Sequence, residues 1–480
     1  MTTTRDLLGV IAELRERLDQ ASDLANDAGD AATHLHDAEN PIRILQQRIQ
    51  LGTEQQRALS QAFRQSGYST SHSGEQGFPP QLTARAVRLL RSAKEILAKL
   101  KSHANDPLLD QGDGQPLGTF YQDGVLLAEL VFRLLQTMPS EPSAQLQLCS
   151  GLDVLISTLQ QRLTGIEDTL RAIHHRRRTA HQLENLLQKV IDGKLSTLNP
   201  FYSLAETVIE DCHRGSPLLF PEQLPDEVGQ FVSQHSLAVA KTVVYFGQMA
   251  PQWRDALLQP VVAALLHDVG MLSIPNETLR TPEEFHITQM GVIEKHCRIG
   301  ASAVGALRGC ETWLLEAIRS HHERLDGTGY PAGLPGSQIG QMARLLAACD
   351  VYVALCSHRP HRAAIEPALA IDKLHEMTER GKLDSIYVDA VASFGTYPPG
   401  LGIELNDGTC GVVILPPQSP SEIHEVGPRP VVEILTHSDH APRQTPQVID
   451  LMACQSLKIS RVLSGPEKRA LFAGSYPQWA

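Results

Sequence analysis

At 480 residues, 42% hydrophobic and 20% charged, the chain is too long for one ordinary core and too apolar to be disordered throughout; about two to four domains are expected. A formal net charge of −12 argues against binding a nucleic-acid duplex, while leaving room for a small anion held by metals or local cations. The eight cysteines (Cys149, Cys212, Cys297, Cys310, Cys349, Cys356, Cys410 and Cys454) form no CxxC pair and read as reduced thiols. MTTTRDLLGV lacks a basic-then-apolar leader and the apolar runs break well before 18 residues, so a cytoplasmic protein without a membrane span is predicted.

Leu7, Ile11, Leu14, Leu18, Ala21 and Ala25 alternate spacings of four and three, the seam of a coiled coil or bundle helix. A homodimer through this region and packing within one chain satisfy that seam equally. The segment QSGYSTSHSGEQGFPPQL, Gln65 to Leu82, reads as a linker. Helical patterning follows at about 83–104, 120–137, 143–176 and 177–192. The run His174-His175-Arg176-Arg177-Arg178 reads as a solvated helix face rather than an anion patch. Residues 1–200 are thus a helical amino-terminal region for signalling or dimerisation, without recognisable chemistry.

A second helical domain is expected over 201–394. Beyond it, YPPGLGIELNDGTCGVVIL places Asn406-Asp407-Gly408 between two strand-like runs, a hairpin signal, and RPVVEIL adds a strand. Residues 395–480 are read as a small β-rich appendage with a terminal helix near Glu467 to Phe472. The fold class is mainly α.

The histidines of the second region fall on apolar stripes. Val228, Phe231, Val232, His235, Val239, Thr242, Val243 and Phe246 form one inward helix face. Taken alone, His235 is more often a satisfied core residue than a ligand. In LLQPVVAALLHDVG, Asp268 continues the stripe of Leu257, Val261, Ala264 and Leu265, with His267 beside it. A buried carboxylate is costly unless paired, and the helix C-terminal end repels anions, which favours a cation there. His296 follows in GVIEKHCRIGASAVG, His321 and His322 end the helix of Leu314, Ala317 and Ile318, and Asp350 interrupts the stripe of Met342, Leu345, Leu346, Cys349 and Val353. Five imidazoles and two carboxylates pointing inward fit a dinuclear centre with ions about 3.5–4 Å apart. His235, His267, Asp268 and Asp350 would hold one ion and His296, His321 and His322 the other, with Asp268 shared. Such a centre activates a water against phosphorus, the chemistry of phosphodiester hydrolysis.

From about Phe231 to Arg362 this pattern resembles the HD superfamily of metal-dependent phosphohydrolases, which are all-helical bundles, and more narrowly the HD-GYP family of bacterial cyclic di-GMP phosphodiesterases. HHERLDGTGYP, His321 to Pro331, and ARLLAACDVYVALCSHRPHR around Asp350 carry the resemblance. It implies that the seven residues are the metal ligands, with His267 and Asp268 the catalytic pair, and that two divalent ions are bound, Fe or Mn ahead of Zn, Ni or Mg. Gly327, Gly329, Tyr330 and Pro331 correspond to the signature loop, and Arg359 to a residue that contacts substrate phosphate. The implied reaction opens cyclic di-GMP to linear pGpG, with GMP as the product of a second cut.

Several positions depart from the family. Met271 stands where lysine usually follows HD-x-G, a loss of about 2–4 kcal/mol of transition-state stabilisation if that cation is used. Phe231 replaces a glutamate that helps some members hold a third metal. Val353 replaces a common aspartate, and His361 a common tyrosine. A catalytically weak cyclic-dinucleotide sensor, another HD-type nucleotide phosphohydrolase and a di-iron oxygenase are the alternatives; Met271 favours the first and the GYP loop opposes the other two.

Overall fold

The computed structural model describes residues 80–103, 142–220, 227–275, 287–416 and 429–468, apart from short breaks at 251–252, 254–255, 360–361 and 441, together with isolated positions elsewhere. The seam at 7–25, most of the linker and His361 lie outside the described residues. Two compact units are present, the described residues up to Ala172 forming one and those from Ile173 to Leu471 the other.

In the first unit α1 (Pro80–Ser102) buries Leu89, Ala93, Ile96 and Leu100. Tyr121, Gly124, Val125, Ala128 and Val131 are also helical. The next helix, α2 (Pro142–Ile191), is a single rod of 50 residues, where the sequence predicts two helices meeting near 176. The Arg176–Arg178 run does not break it because arginine is a good helix former. It ends where Gly193 takes a φ of +66°, with Gly193 and Lys194 donating to the carbonyls of Val190 and Lys189.

The second unit begins with the end of α2 and continues through α3 (Asn199–His213), α4 (Val228–Met249) and α5 (Leu258–Leu266). A 3₁₀ turn (Val269–Ser273), α6 (Ile287–Ile293), α7 (Lys295–Gly305) and α8 (Thr312–Ser320) follow, and then α9 (Gln341–Cys356), α10 (Pro367–Glu379) and α11 (Ser385–Gly395). Central to this bundle is α4, packed by α3, α5, α9 and α11. It is accordingly buried on nearly every side, and α5 is buried at every position from Pro260 to Leu266. Polar groups carried into this core are partnered: the Tyr352 hydroxyl donates to the Gly395 carbonyl at 2.7 Å and the Tyr245 hydroxyl to the Ser216 carbonyl at 2.6 Å, each sparing about 1–3 kcal/mol of uncompensated desolvation.

A five-stranded antiparallel sheet follows, in the order β4-β3-β2-β1-β5. Its strands are β1 (Gly402–Leu405), β2 (Cys410–Leu415), β3 (Val431–Thr436), β4 (Pro442–Asp450) and β5 (Ile459–Val462). The predicted hairpin joins β1 to β2, with Gly408 at φ +83° and Asp407 accepting from the amide and hydroxyl of Thr409. Its own small core contains Ile403, Leu405, Val413, Val432, Ile434 and Leu451. The chain is therefore mainly α with a small β-rich carboxyl-terminal part. No helix among the described residues is long and apolar enough to cross a membrane.

Candidate metal centre

Three imidazoles are presented by one local device. His267 caps α5, His321 caps α8, and His296 is the second residue of α7. In each, Nδ1 donates to the carbonyl three residues back: to Ala264 at 2.8 Å, Ile293 at 2.7 Å and Ile318 at 2.8 Å. That bond fixes the proton on Nδ1 and turns the Nε2 lone pair inward, the usual arrangement of a metal-binding histidine.

Asp268 lies among them. Its Oδ1 is 3.2 Å from Nε2 of His296 and 3.6 Å from Nε2 of His321, while Oδ2 is 3.4 Å from Nε2 of His267 and 3.6 Å from Nε2 of His235. Each oxygen therefore faces a different pair of imidazoles. Asp350 reaches from α9, with Oδ1 at 2.9 Å from Nε2 of His235 and Oδ2 at 3.9 Å from Nδ1 of His322. All seven residues predicted to bind metal converge. His235, His267 and Asp268 hold ligand atoms within 4.8 Å of one another, as do His296, Cys297, His321 and His322. All seven are buried except His322, which is half-buried.

This donor set fits divalent cations. With their Nδ1 protons committed, His296 and His321 bring their Nε2 atoms to 3.4 Å of each other, a contact that a proton or a shared metal cation can bridge. The buried Nε2 of His267 has no hydrogen-bond partner among the described residues. Electrostatics points the same way. Burial opposes the carboxylate of Asp268, but the imidazoles of His267, His296 and His321 outweigh it and hold the acid well below its ordinary range; Asp350 is likewise held ionised, against burial, chiefly by His235. Burial opposes charge on His267 and His296, yet Asp268 raises both; burial, with the neighbouring imidazoles, lowers His321 and His322. Two fixed negative charges thus share one buried site with two imidazoles that Asp268 draws toward their charged form and two that burial holds neutral.

Glycine makes the convergence fit. A Cβ at Gly270 would collide with the carbonyl oxygen of His296 and lie 2.8 Å from the amide nitrogen of Gly300. Only glycine lets the turn that follows Asp268 lie directly on α7. Met271, at the position where lysine is usual, is buried in the apolar core, as is Val353.

The signature loop folds back onto the same side. The Tyr330 ring lies 4.7 Å from the His322 ring, and the Tyr330 amide donates to the His322 carbonyl at 3.2 Å. Gly327 takes a φ of +79°, while a Cβ on Gly329 would collide with the Arg324 amide nitrogen and lie 2.5 Å from Glu323 Cα. The Tyr330–Pro331 peptide is cis, and Arg298 donates to the Pro331 carbonyl at 2.9 Å. Glu323 secures the loop: 2% exposed, it accepts from the amides of Ala332 at 2.7 Å and Leu334 at 3.0 Å. Arg359 lies outside the ligand cluster but beside it, its guanidinium carbon 4.9 Å above the Phe231 ring, which in turn stacks on His235 at 6.2 Å.

Glu323 and Cys297 are absent from the residues singled out by sequence. Glu323 sits between the double histidine and the glycine-rich loop, and that position is its one signal. Cys297 follows His296, and its Sγ lies 3.4 Å from His296 Nε2, a proximity that dispersed cysteine positions do not announce.

Residues 222–386 match the family model of the HD domain. A cyclic di-GMP phosphodiesterase of Pseudomonas aeruginosa is 32% identical over 186 residues, which is 38% of this chain and 44% of that protein. The cyclic di-GMP phosphodiesterase response regulator RpfG of Xanthomonas campestris is 40% identical over 133 residues, 27% of this chain and 34% of that one. A 3'3'-cGAMP-specific phosphodiesterase of Vibrio cholerae is 30% identical over 169 residues, 35% of this chain and 38% of that one. The chain thus spans less than half the length of the curated relatives it matches.

Proposed function

We propose that this chain, in which residues 222–386 form an HD domain of the HD-GYP kind, is a two-metal phosphodiesterase that opens cyclic di-GMP to pGpG and, by a second cut, yields GMP. The observation that carries the reading is Asp268, whose two oxygens face separate pairs of imidazoles. His235, His267, Asp268 and Asp350 would hold one ion, and His296, His321 and His322 the second, with Asp268 common to both. Fe and Mn suit this mixture of nitrogen and carboxylate donors, as Zn and Ni do. When bound, such a pair supplies Lewis acidity toward phosphate oxygens and lowers the pKa of a water.

The remaining roles belong to the chain. Asp268 and Asp350 supply the fixed negative charge that keeps the ions in place. The carbonyls of Ala264, Ile293 and Ile318 orient the imidazoles so that no reorganisation is needed when substrate arrives. Arg359, held over Phe231, is placed to take a substrate phosphate, and the loop of Gly327, Gly329, Tyr330 and Pro331 forms the wall on the His322 side. The names of the relatives support a cyclic dinucleotide as substrate. A homodimer through the helical amino-terminal region belongs to the same proposal, resting on the Leu7–Ala25 seam; light scattering on the eluting protein tests it.

The decisive experiment is anaerobic purification with elemental analysis, then incubation with cyclic di-GMP and 3'3'-cGAMP under product detection. Two ions per chain and accumulation of pGpG support the proposal. A metal-loaded protein that binds cyclic di-GMP without cleaving it refutes it.

A further inference from the structure

A cavity of about 270 Å³ lies in the same unit, bounded by the last part of α2, α3, the segment ending at Phe220, and α4. It shares no residue with the histidine cluster. Along α4, Gln234, Ala238 and Lys241 line the cavity at i, i+4 and i+7, whereas His235 begins the adjacent face, turned by about 100°.

Its lining is unusual for so acidic a protein. Among the described residues, Arg176, Arg177 and Lys241 contribute three cations to the lining and Asp211, which meets Nε2 of His175 at 2.8 Å, one carboxylate. Lys241 is half-buried and directs two of its three N–H donors to Ser216 Oγ at 2.8 Å and the Pro217 carbonyl at 3.2 Å, leaving one. Arg177 makes no ion pair or hydrogen bond among the described residues. Burial lowers the pKa of both Lys241 and Arg176, and a neighbouring arginine adds to it in each. Two arginines of the run that reads in sequence as a solvated face are therefore cavity walls.

Leu219, Phe220, Leu237 and Val208 form an apolar part of the wall, a slot for a flat body, with Thr179 and Gln234 as polar neighbours. The volume lies near the lower end for ligand pockets, about 300–1,000 Å³, which suits one nucleotide and not two. We propose that this cavity is a second binding site, for a nucleoside monophosphate, with the phosphate on Arg176, Arg177 and Lys241 and the base against Phe220 and Leu237. The ligand would rest against α4, which carries His235, and against Phe220, whose ring meets Tyr352 of α9 edge-on at 5.6 Å.

Calorimetric titration of the full chain, stripped of metal with chelator to silence the histidine cluster, tests this with GMP, AMP and inorganic phosphate as probes. Saturable binding of a nucleotide is expected, at least about tenfold tighter than phosphate alone. Arg177→Glu should weaken it at least about tenfold by placing a carboxylate at the phosphate position, and Ala180→Phe should abolish it by filling the cavity. Arg177 is exposed, so its variant keeps the test valid if Ala180→Phe melts below wild type. No saturable nucleotide binding at millimolar concentration, unchanged affinity in Arg177→Glu, or phosphate binding as tightly as nucleotide would each overturn the proposal.

Discussion

Gly270→Ala isolates the close approach on which the metal centre depends. Gly270 does not occupy the left-handed region, so alanine is conformationally at ease there and any loss comes from contact alone. The new Cβ meets main-chain atoms of His296 and Gly300, which cannot swing aside as a flexible side chain would. Relieving the overlap requires the turn and α7 to part by on the order of an ångström, at a cost of about 1–3 kcal/mol. That displacement separates Asp268 from His296, now 3.2 Å apart, whereas metal–ligand distances tolerate only about ±0.2 Å. The expected result is a folded protein, destabilised by that amount in urea, that on the proposed reading loses the ion assigned to His296, His321 and His322 together with the proposed hydrolysis. Gly291→Ala is the matched control, since a Cβ there has nothing within 4 Å, and it should retain both ions. A Gly270→Ala protein with wild-type metal content and turnover would refute the reasoning.

Asp268→Ala should abolish metal retention and hydrolysis together; elemental analysis showing a full complement, with full rate, contradicts the shared-ligand role. Glu323→Gln removes one of two charge-assisted bonds to the loop amides, about 1.5–3 kcal/mol, so urea stability should fall and KM for cyclic di-GMP rise while metal content holds; unaltered stability and KM would show that the loop is anchored otherwise. For Asp350, the folded pKa lies below the unfolded value of about 3.9, so its contribution is complete above that value and is lost as pH falls through the folded one. In metal-free protein, the stability gap between wild type and Asp350→Asn should therefore close as pH falls below about 4; a gap that persists undiminished below that pH contradicts the depressed pKa of Asp350.

The convergence of these histidines and aspartates is legible in sequence because burial of a charge leaves a trace. Asp268 and Asp350 each occupy the next inward position of an apolar stripe, where a carboxylate is tolerated only with a partner. Helical spacing then tells which way His235 and His321 face. What the sequence does not carry is anything decided by main-chain groups of another segment. Glu323 looks like a surface glutamate until the amides of Ala332 and Leu334 curl back onto it. The run at Arg176–Arg178 is solvated by its own periodicity, and only α3 and α4 turn part of it into a cavity wall. The unbroken course of α2 has the same origin: local charge suggests a boundary at 176, but nothing in the backbone chemistry of arginine or histidine ends a helix.

The histidine cluster also explains why fold and chemistry are tied together here. Five imidazoles and two carboxylates occupy the middle of a bundle whose other buried positions are almost all aliphatic or aromatic. Their ring nitrogens crowd together, as in the His296–His321 contact of 3.4 Å, and two negative charges are held out of water. Packing alone would not favour this arrangement, because apolar residues of similar volume would remove both the crowding and the desolvation. The helices that meet there are otherwise joined by ordinary apolar contacts, so the cost is local and the scaffold bears it. Divalent cations bound to the folded form and not to the unfolded chain reverse the balance, since their binding free energy adds to folding. On the proposed reading the site would cost stability when empty and add it when filled, and the carbonyl bonds behind His267, His296 and His321 would hold it in shape for its occupant.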